Sequence, residues 1–190
     1  MTILISKNIK SLIETKNILT GKDFNNTQIQ PASLDLTLSN KCYRIKASFI
    51  PNTKKVNTLI SSLALAEIDL NKENLLEKNC IYLCELNESL NLINNISAKS
   101  NPKSTTGRLD IFTRLITDYG NEYDIVKPGY KGKLYLEIIP QSFSIIVKNG
   151  ISLNQIRFYK NQEQVKSFLR SQNISIFIKK NTICAYKAKK

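Results

Sequence analysis

Pro128-Gly129-Tyr130-Lys131-Gly132-Lys133-Leu134-Tyr135-Leu136-Glu137-Ile138 opens as a turn and continues as a strand. Proline, then two glycines within five residues, punctuate its start. From Leu134 onward the period is two: Leu134, Leu136 and Ile138 point one way, Tyr135 and Glu137 the other. The spacing predicts a strand over Lys133 to Ile139. Taken alone, a carboxylate at position 137 of such a strand is better accounted for by a solvated face than by a functional group.

Similar short patterns surround it. Leu109 to Leu115, Phe143 to Val147 and Gln155 to Tyr159 read as strands, separated by Asn101-Pro102, Lys127-Pro128-Gly129 and Asn149-Gly150. Upstream, Leu34, Leu36 and Leu38 alternate with Asp35 and Thr37, and Cys42 to Phe49 continues as a second strand. Ile81 to Leu86 reads as a largely buried strand, and Leu59 to Leu70 carries short apolar alternations. At the N-terminus, Ile9, Leu12 and Ile13 share one helical face, which predicts a helix over Ser6 to Lys16 with Ser6 as its N-cap. A polar loop spans Thr20 to Gln30. After Lys160 the pattern changes, with a short helix expected over Gln162 to Arg170 and a last strand over Ile174 to Ile178. Many short strands and little helix predict a mainly β barrel or sandwich. The division expected is a β domain over residues 1–160 and an extension over 161–190.

Composition narrows the chemistry. The 190 residues fit one domain, and 42% hydrophobic content is enough for a real core. No run approaches the roughly 18 apolar residues of a membrane span, and no signal-peptide pattern opens the chain. A cytoplasmic, non-membrane protein is expected. Histidine is absent, which removes Ser-His-Asp and Cys-His nucleophilic machinery, histidine-ligated zinc and every histidine base. Acid–base work therefore falls to Asp, Glu, Lys, Tyr or an oriented water. Cys42, Cys80, Cys84 and Cys184 form no CxxC pair and read as buried reduced thiols. The net charge of +13 suggests an anionic partner. The cations are mostly scattered lysines accompanied by abundant Asn and Ile, a pattern that AT-rich codons produce. No basic-aromatic cluster of the RNA-binding kind is present, so a nucleoside triphosphate answers the charge as well as a nucleic acid.

One stretch has the makings of an anion site. In Asn101-Pro102-Lys103-Ser104-Thr105-Thr106-Gly107-Arg108-Leu109, two cations flank three hydroxyls, and Gly107 permits close backbone approach. A polar turn ahead of a strand explains the same residues.

Taken in order, four segments resemble the dCTP deaminase branch of the dUTPase-like superfamily. Pro31-Ala32-Ser33-Leu34-Asp35-Leu36 is similar to the family's first motif, and Pro102-Lys103-Ser104-Thr105-Thr106-Gly107-Arg108 to its phosphate-binding Arg-Ser-Ser-x-x-Arg. Pro128 to Glu137 resembles Pro-Gly-Trp-x-Gly-x-x-x-Leu-Glu, and Gly150-Ile151-Ser152-Leu153-Asn154-Gln155 its fourth motif. The resemblance covers roughly residues 5 to 160. The stretch Thr106 to Tyr119 is most similar to the N-terminal half of the long, duplicated bacterial deaminases.

The resemblance implies a distorted β-barrel with a short N-terminal helix, assembled as a homotrimer with sites between subunits. It implies that Glu137 takes a proton from a water attacking C4 of cytosine, giving dUTP and ammonia without zinc. Zinc deaminases need a His/Cys-x-Glu and Pro-Cys-x-x-Cys arrangement, and this chain contains neither. Ser104 and Arg108 fall on family positions at the water and phosphates. Lys103 stands for the usual arginine, keeping the charge but not the two-pronged fork, and Thr105 stands for a serine. Tyr130 and Gln155 are expected against the nucleotide. Magnesium is expected on the triphosphate, and a structural role for Asp35 is at least as well supported as a catalytic one. The family's pyrophosphate-releasing members carry an Asp three residues before the motif aromatic, where this chain has Lys127, with Asp124 three residues earlier. An ammonium cannot be that base, so dUTP pyrophosphatase activity is disfavoured. The tail after Lys160 lacks the family's closing segment, which leaves a non-catalytic nucleotide-binding relative as the alternative.

Overall fold

The computed structural model describes residues 1–160, together with the backbone of 175–179 and 182–187. The chain begins with β1 (Thr2–Ile3), α1 (Ser6–Glu14) and β2 (Ile18–Leu19). The apolar face of α1 buries Ile9 and Leu12. Its N-cap is Ile5 rather than Ser6, because the Ile5 N–H donates to Asn8 Oδ1 at 3.1 Å while the Ser6 N–H donates to the Pro31 carbonyl. The helix stops before Lys16, which takes a left-handed φ of 56°.

Next come β3 (Leu34–Leu36), β4 (Leu38–Ile45), α2 (Val56–Leu63), β5 (Ala64–Asp69), β6 (Asn74–Leu76) and β7 (Tyr82–Asn91). They are followed by β8 (Ile96–Pro102), α3 (Ser104–Arg108), β9 (Ile111–Thr117), β10 (Ile125–Val126), β11 (Lys131–Pro140), β12 (Ile145–Val147) and β13 (Asn154–Lys160). A hairpin of β14 (Ser175–Lys179) and β15 (Thr182–Lys187) covers most of the last expected strand. The helix expected over Gln162 to Arg170 lies outside the described residues.

Two antiparallel sheets dominate. One runs β1-β13-β8-β10 with β3 also on β13; the other runs β5-β4-β7-β11-β9 with β2 on β7. Among the described residues the hydrogen-bonded order does not close on itself, so the expected distorted barrel is realised as two sheets sharing one core. Leu34, Ala98, Ile156 and Phe158 of the first sheet join Leu38, Leu86, Leu115, Leu134, Leu136 and Ile138 of the second in a single buried cluster. The chain changes sheets at Thr37. Leaving the ladder frees its N–H, which donates to Glu88 Oε2 at 2.8 Å, and its hydroxyl donates to Glu88 Oε1 at 2.8 Å.

The strand that carries Glu137 is central. β11 pairs with β7 on one side and β9 on the other, placing Glu137 opposite Leu83 and Arg114. Leu134, Leu136 and Ile138 enter the main core, as the period of two requires. Tyr135 faces the opposite way into a second cluster with Leu83, Ile116, Ile45 and, from α2, Val56 and Ile60. That second layer covers the outer face of the sheet, so Glu137 is 0% exposed rather than solvated. The turn before it uses Gly129 at φ +72°, where an added Cβ would collide with Asn94 Oδ1.

Several expectations change. The alternations over Leu59 to Leu70 belong to a helix followed directly by a strand, and β8 and α3 replace what read as a polar turn. The strand expected over Cys42 to Phe49 runs instead from Leu38 to Ile45. Cys42 and Cys84 are buried free thiols, whereas Cys80 is half-exposed, with Arg44 Nη2 at 3.0 Å from its sulfur. Among the described residues no helix is long and apolar enough to cross a membrane.

Candidate active site

All the expected site residues but Tyr130 fall into two groups within one chain. The first surrounds α3. Lys103 leaves β8 with its N–H on the Leu153 carbonyl at 3.0 Å, and its backbone carbonyl accepts from Gly107. The Lys103 ammonium pairs with the buried carboxylate of Asp35 on β3. Asp35 in turn lies opposite Gln155 in the β3–β13 register, and Gln155 Oε1 accepts from Ser33 Oγ at 2.9 Å. Three of the four sequence segments therefore meet at one sheet edge.

Ser104, Thr105 and Arg108 project from α3 into solvent. Among the described residues the Arg108 guanidinium bonds through Nε alone, to the Ser104 carbonyl at 3.3 Å. Two exposed hydroxyls and a guanidinium with free donors suit an anion. Thr106 does not join them: it is buried and its hydroxyl donates to the Leu153 carbonyl at 2.7 Å, fastening α3 to the sheet.

The second group surrounds Glu137. Its Oε1 accepts from Arg114 Nε at 2.9 Å and Nη2 at 2.5 Å. Its Oε2 is buried and has no partner among the described residues. The Arg114 guanidinium lies over the rings of Tyr123, at 3.9 Å, and Phe112, at 4.9 Å. Nearby, Asp124 Oδ1 accepts from the Leu115 N–H at 2.8 Å. Burial pushes the Asp124 carboxyl up against the opposing pull of that hydrogen bond and of Arg114, and the Glu137 charge adds to the rise. Burial likewise raises the Tyr123 hydroxyl.

A buried polar chain joins the two halves of the fold between these groups. Thr113 Oγ1 on β9 donates to Asn154 Oδ1 at 3.4 Å, and Asn154 Nδ2 donates to Ser100 Oγ at 2.6 Å. Tyr130 stands apart. Its hydroxyl donates to the Lys133 carbonyl at 2.6 Å and accepts from the Asp118 N–H at 3.1 Å, so it pins its own turn. Burial raises its phenol well above the usual range. Lys127, at the position where the resemblance calls for Asp, is exposed.

A cleft of about 300 Å³ opens beside the first group, lined among others by Gln28, Asp35, Thr37, Glu88 and Lys103. The cleft adjoins the Lys103–Asp35 pair, and neither Glu137 nor Ser104, Thr105 and Arg108 line it. Arg114 and Glu88 were not singled out from sequence. Arg114 had a signal: it is the lone charge on a strand whose same-face neighbours are Phe112 and Ile116.

Comparison with known proteins bears on the family of the chain. The chain is 28% identical over 163 residues to the "dCTP deaminase, dUMP-forming" of Dictyoglomus turgidum, covering 83% of this chain and 80% of the relative. It is 27% identical over 143 residues to the protein of the same name from Methanosphaera stadtmanae, covering 73% and 68%. The crystal structure of 2'-deoxycytidine 5'-triphosphate deaminase from Agrobacterium tumefaciens is similar at a TM-score of 0.82 and 45% identity, over 84% of this chain and 48% of that one. The chain thus spans about half the length of that solved deaminase. Residues 1–162 match the model of the 2'-deoxycytidine 5'-triphosphate deaminase (DCD) N-terminal domain, and the chain belongs to that family.

Proposed function

We propose that the chain deaminates dCTP by hydrolysis, with Glu137 as the proton-handling group. The observation that carries this reading is the Glu137 carboxylate, wholly buried with one oxygen unpartnered among the described residues. In the proposed step a water oxygen bonds to C4 of cytosine as its proton passes to Glu137 and the C4–N3 double bond opens onto N3, to re-form when the nitrogen leaves. The C4–N4 bond then breaks, the proton goes to the departing nitrogen, and the products are dUTP and ammonia. Ser104, Thr105 and Arg108, exposed on α3, would bind the water and phosphates, with Lys103 and Gln155 beside them. Tyr130 would contact nucleotide through its ring, since its hydroxyl is engaged in the turn.

Magnesium would arrive on the triphosphate. Among the described residues no three Cys, Asp or Glu side chains converge, and Asp35 is already answered by Lys103. A homotrimer is part of the proposal: among the described residues no hydrogen bond or ion pair joins Glu137 to α3, and a neighbouring copy would bring the two groups to one nucleotide.

The relatives' names favour a second reading, in which dUMP is the product. The exposed ammonium of Lys127 speaks for dUTP, because a cation at that place cannot activate water for attack on a phosphate. A third reading is a non-catalytic nucleotide-binding role, favoured by the cleft beside Lys103 and Asp35, which Glu137 does not line. Incubation with dCTP and magnesium, followed by chromatographic separation of dCTP, dUTP and dUMP, tests all three. The proposal expects dUTP; dUMP supports the second reading, and unchanged dCTP the third.

A further inference from the structure

The two oxygens of Glu137 are not equivalent. Arg114 directs two nitrogens, Nε and Nη2, at the same oxygen, Oε1, and leaves Oε2 buried without a partner among the described residues. The β9–β11 register sets Arg114 directly opposite Glu137, so the pair forms without either side chain reaching far. The guanidinium is itself held. It lies 3.9 Å from the Tyr123 ring centroid, and the Tyr123 hydroxyl donates to the Phe49 carbonyl at 3.1 Å. Contacts therefore run from the Phe49 loop through Tyr123 and Arg114 to the carboxylate, and they fix rotation of the carboxylate about its last bond.

A buried acceptor left unpaired costs stability that an incoming O–H or N–H donor recovers. Oε2 is such an acceptor, in the one charged side chain of the second group that the reaction requires. On the reading that Glu137 handles the reacting water, we propose that Arg114 is a positioning residue. It locks Oε1 for orientation and reserves Oε2 as the oxygen that takes the water proton and later returns it to the leaving nitrogen. The Arg114–Oε1 bonds stay unchanged through both transfers.

The fork matters more than the charge. A lysine offers one point charge free to swing between the two oxygens, whereas the flat guanidinium holds one of them. Arg114→Lys keeps the charge and most of the volume and loses the discrimination. With the full chain, kcat for dCTP is expected to fall about tenfold in R114K and about 100-fold in R114A, as small misplacements of a reacting group do. The dissociation constant for dCTP, measured by titration calorimetry, stays within about threefold, because ground-state binding is not what is removed. Added methylguanidine should recover part of the turnover of R114A and none of that of Glu137→Gln.

Wild-type kcat in R114K, or a loss confined to KM, overturns the proposal. If R114A does not fold, as its thermal melt would report, R114K alone decides. A wild-type chain that leaves dCTP unchanged overturns the deaminase reading itself, and the role given to Arg114 falls with it.

Discussion

Lys103, the first cation of the anion loop, is paired with the buried carboxylate of Asp35, sixty-eight residues upstream on another strand. The pair ties α3 to the sheet edge and sets which cation is free for a ligand. Lys103 is partly neutralised within the chain, and Arg108 is the exposed charge. Replacing Lys103 by Met leaves Asp35 buried without its cation, with only Gln30 Nε2, 3.5 Å away, near its Oδ2. Breaking a buried pair from one side costs about 3–5 kcal/mol. Lys103 is partly exposed, so the lower end is expected, read as a drop in urea midpoint. An unchanged midpoint would mean that the pair adds nothing to the fold.

Glu88 makes stability depend on pH. It is buried under the sheet switch, and although Thr37 and Gln28 hydrogen-bond it, burial dominates and raises its carboxyl above the ordinary 4.5. A carboxyl raised by folding binds its proton more tightly in the native state. Its contribution is therefore favourable in acid and lost as pH rises from about 4.5 through the raised value. Relative to Glu88→Gln, the wild type should gain stability on going from pH 8 to pH 5, as urea unfolding would show. A stability difference that is flat across that range contradicts this assignment.

Neighbouring residues on β11 test whether both faces of the sheet are buried. Leu136→Ala opens a hole in the main core and should cost about 2–5 kcal/mol. Tyr135→Phe removes only the hydroxyl that donates to Asn57 Oδ1 of α2 at 2.9 Å, and should cost about 0.5–1.5 kcal/mol. A neutral Tyr135→Phe would mean that the α2 cover is not anchored there.

Much of this arrangement was legible in the chain. Leu134, Leu136 and Ile138 against Tyr135 state a strand and its two faces, and the structure sorts them into two clusters accordingly. The burial of Glu137 was not legible, because the cover on that face of the sheet is tertiary, and one part of it, α2, is hard to see. Leu63 passes into Ala64 of β5 with neither Gly nor Pro to mark the change from helix to strand. β8 is hard to see for a related reason: of its inward residues Ile96, Ala98 and Ser100 only the first is large and apolar, which makes a weak period-two signal. Arg114 acquires meaning from the register that sets it opposite Glu137, and register is a property of the assembled sheet. The split of the expected site into an α3 group and a Glu137 group is likewise tertiary.

The most direct test compares the wild type with Glu137→Gln for ammonia release from dCTP and for dCTP binding. The wild type is expected to release ammonia with one dUTP formed for each ammonia. The variant is expected to bind dCTP within about threefold of wild type, with turnover reduced by at least about 1,000-fold. Undiminished ammonia release from Glu137→Gln would contradict the role given to Glu137.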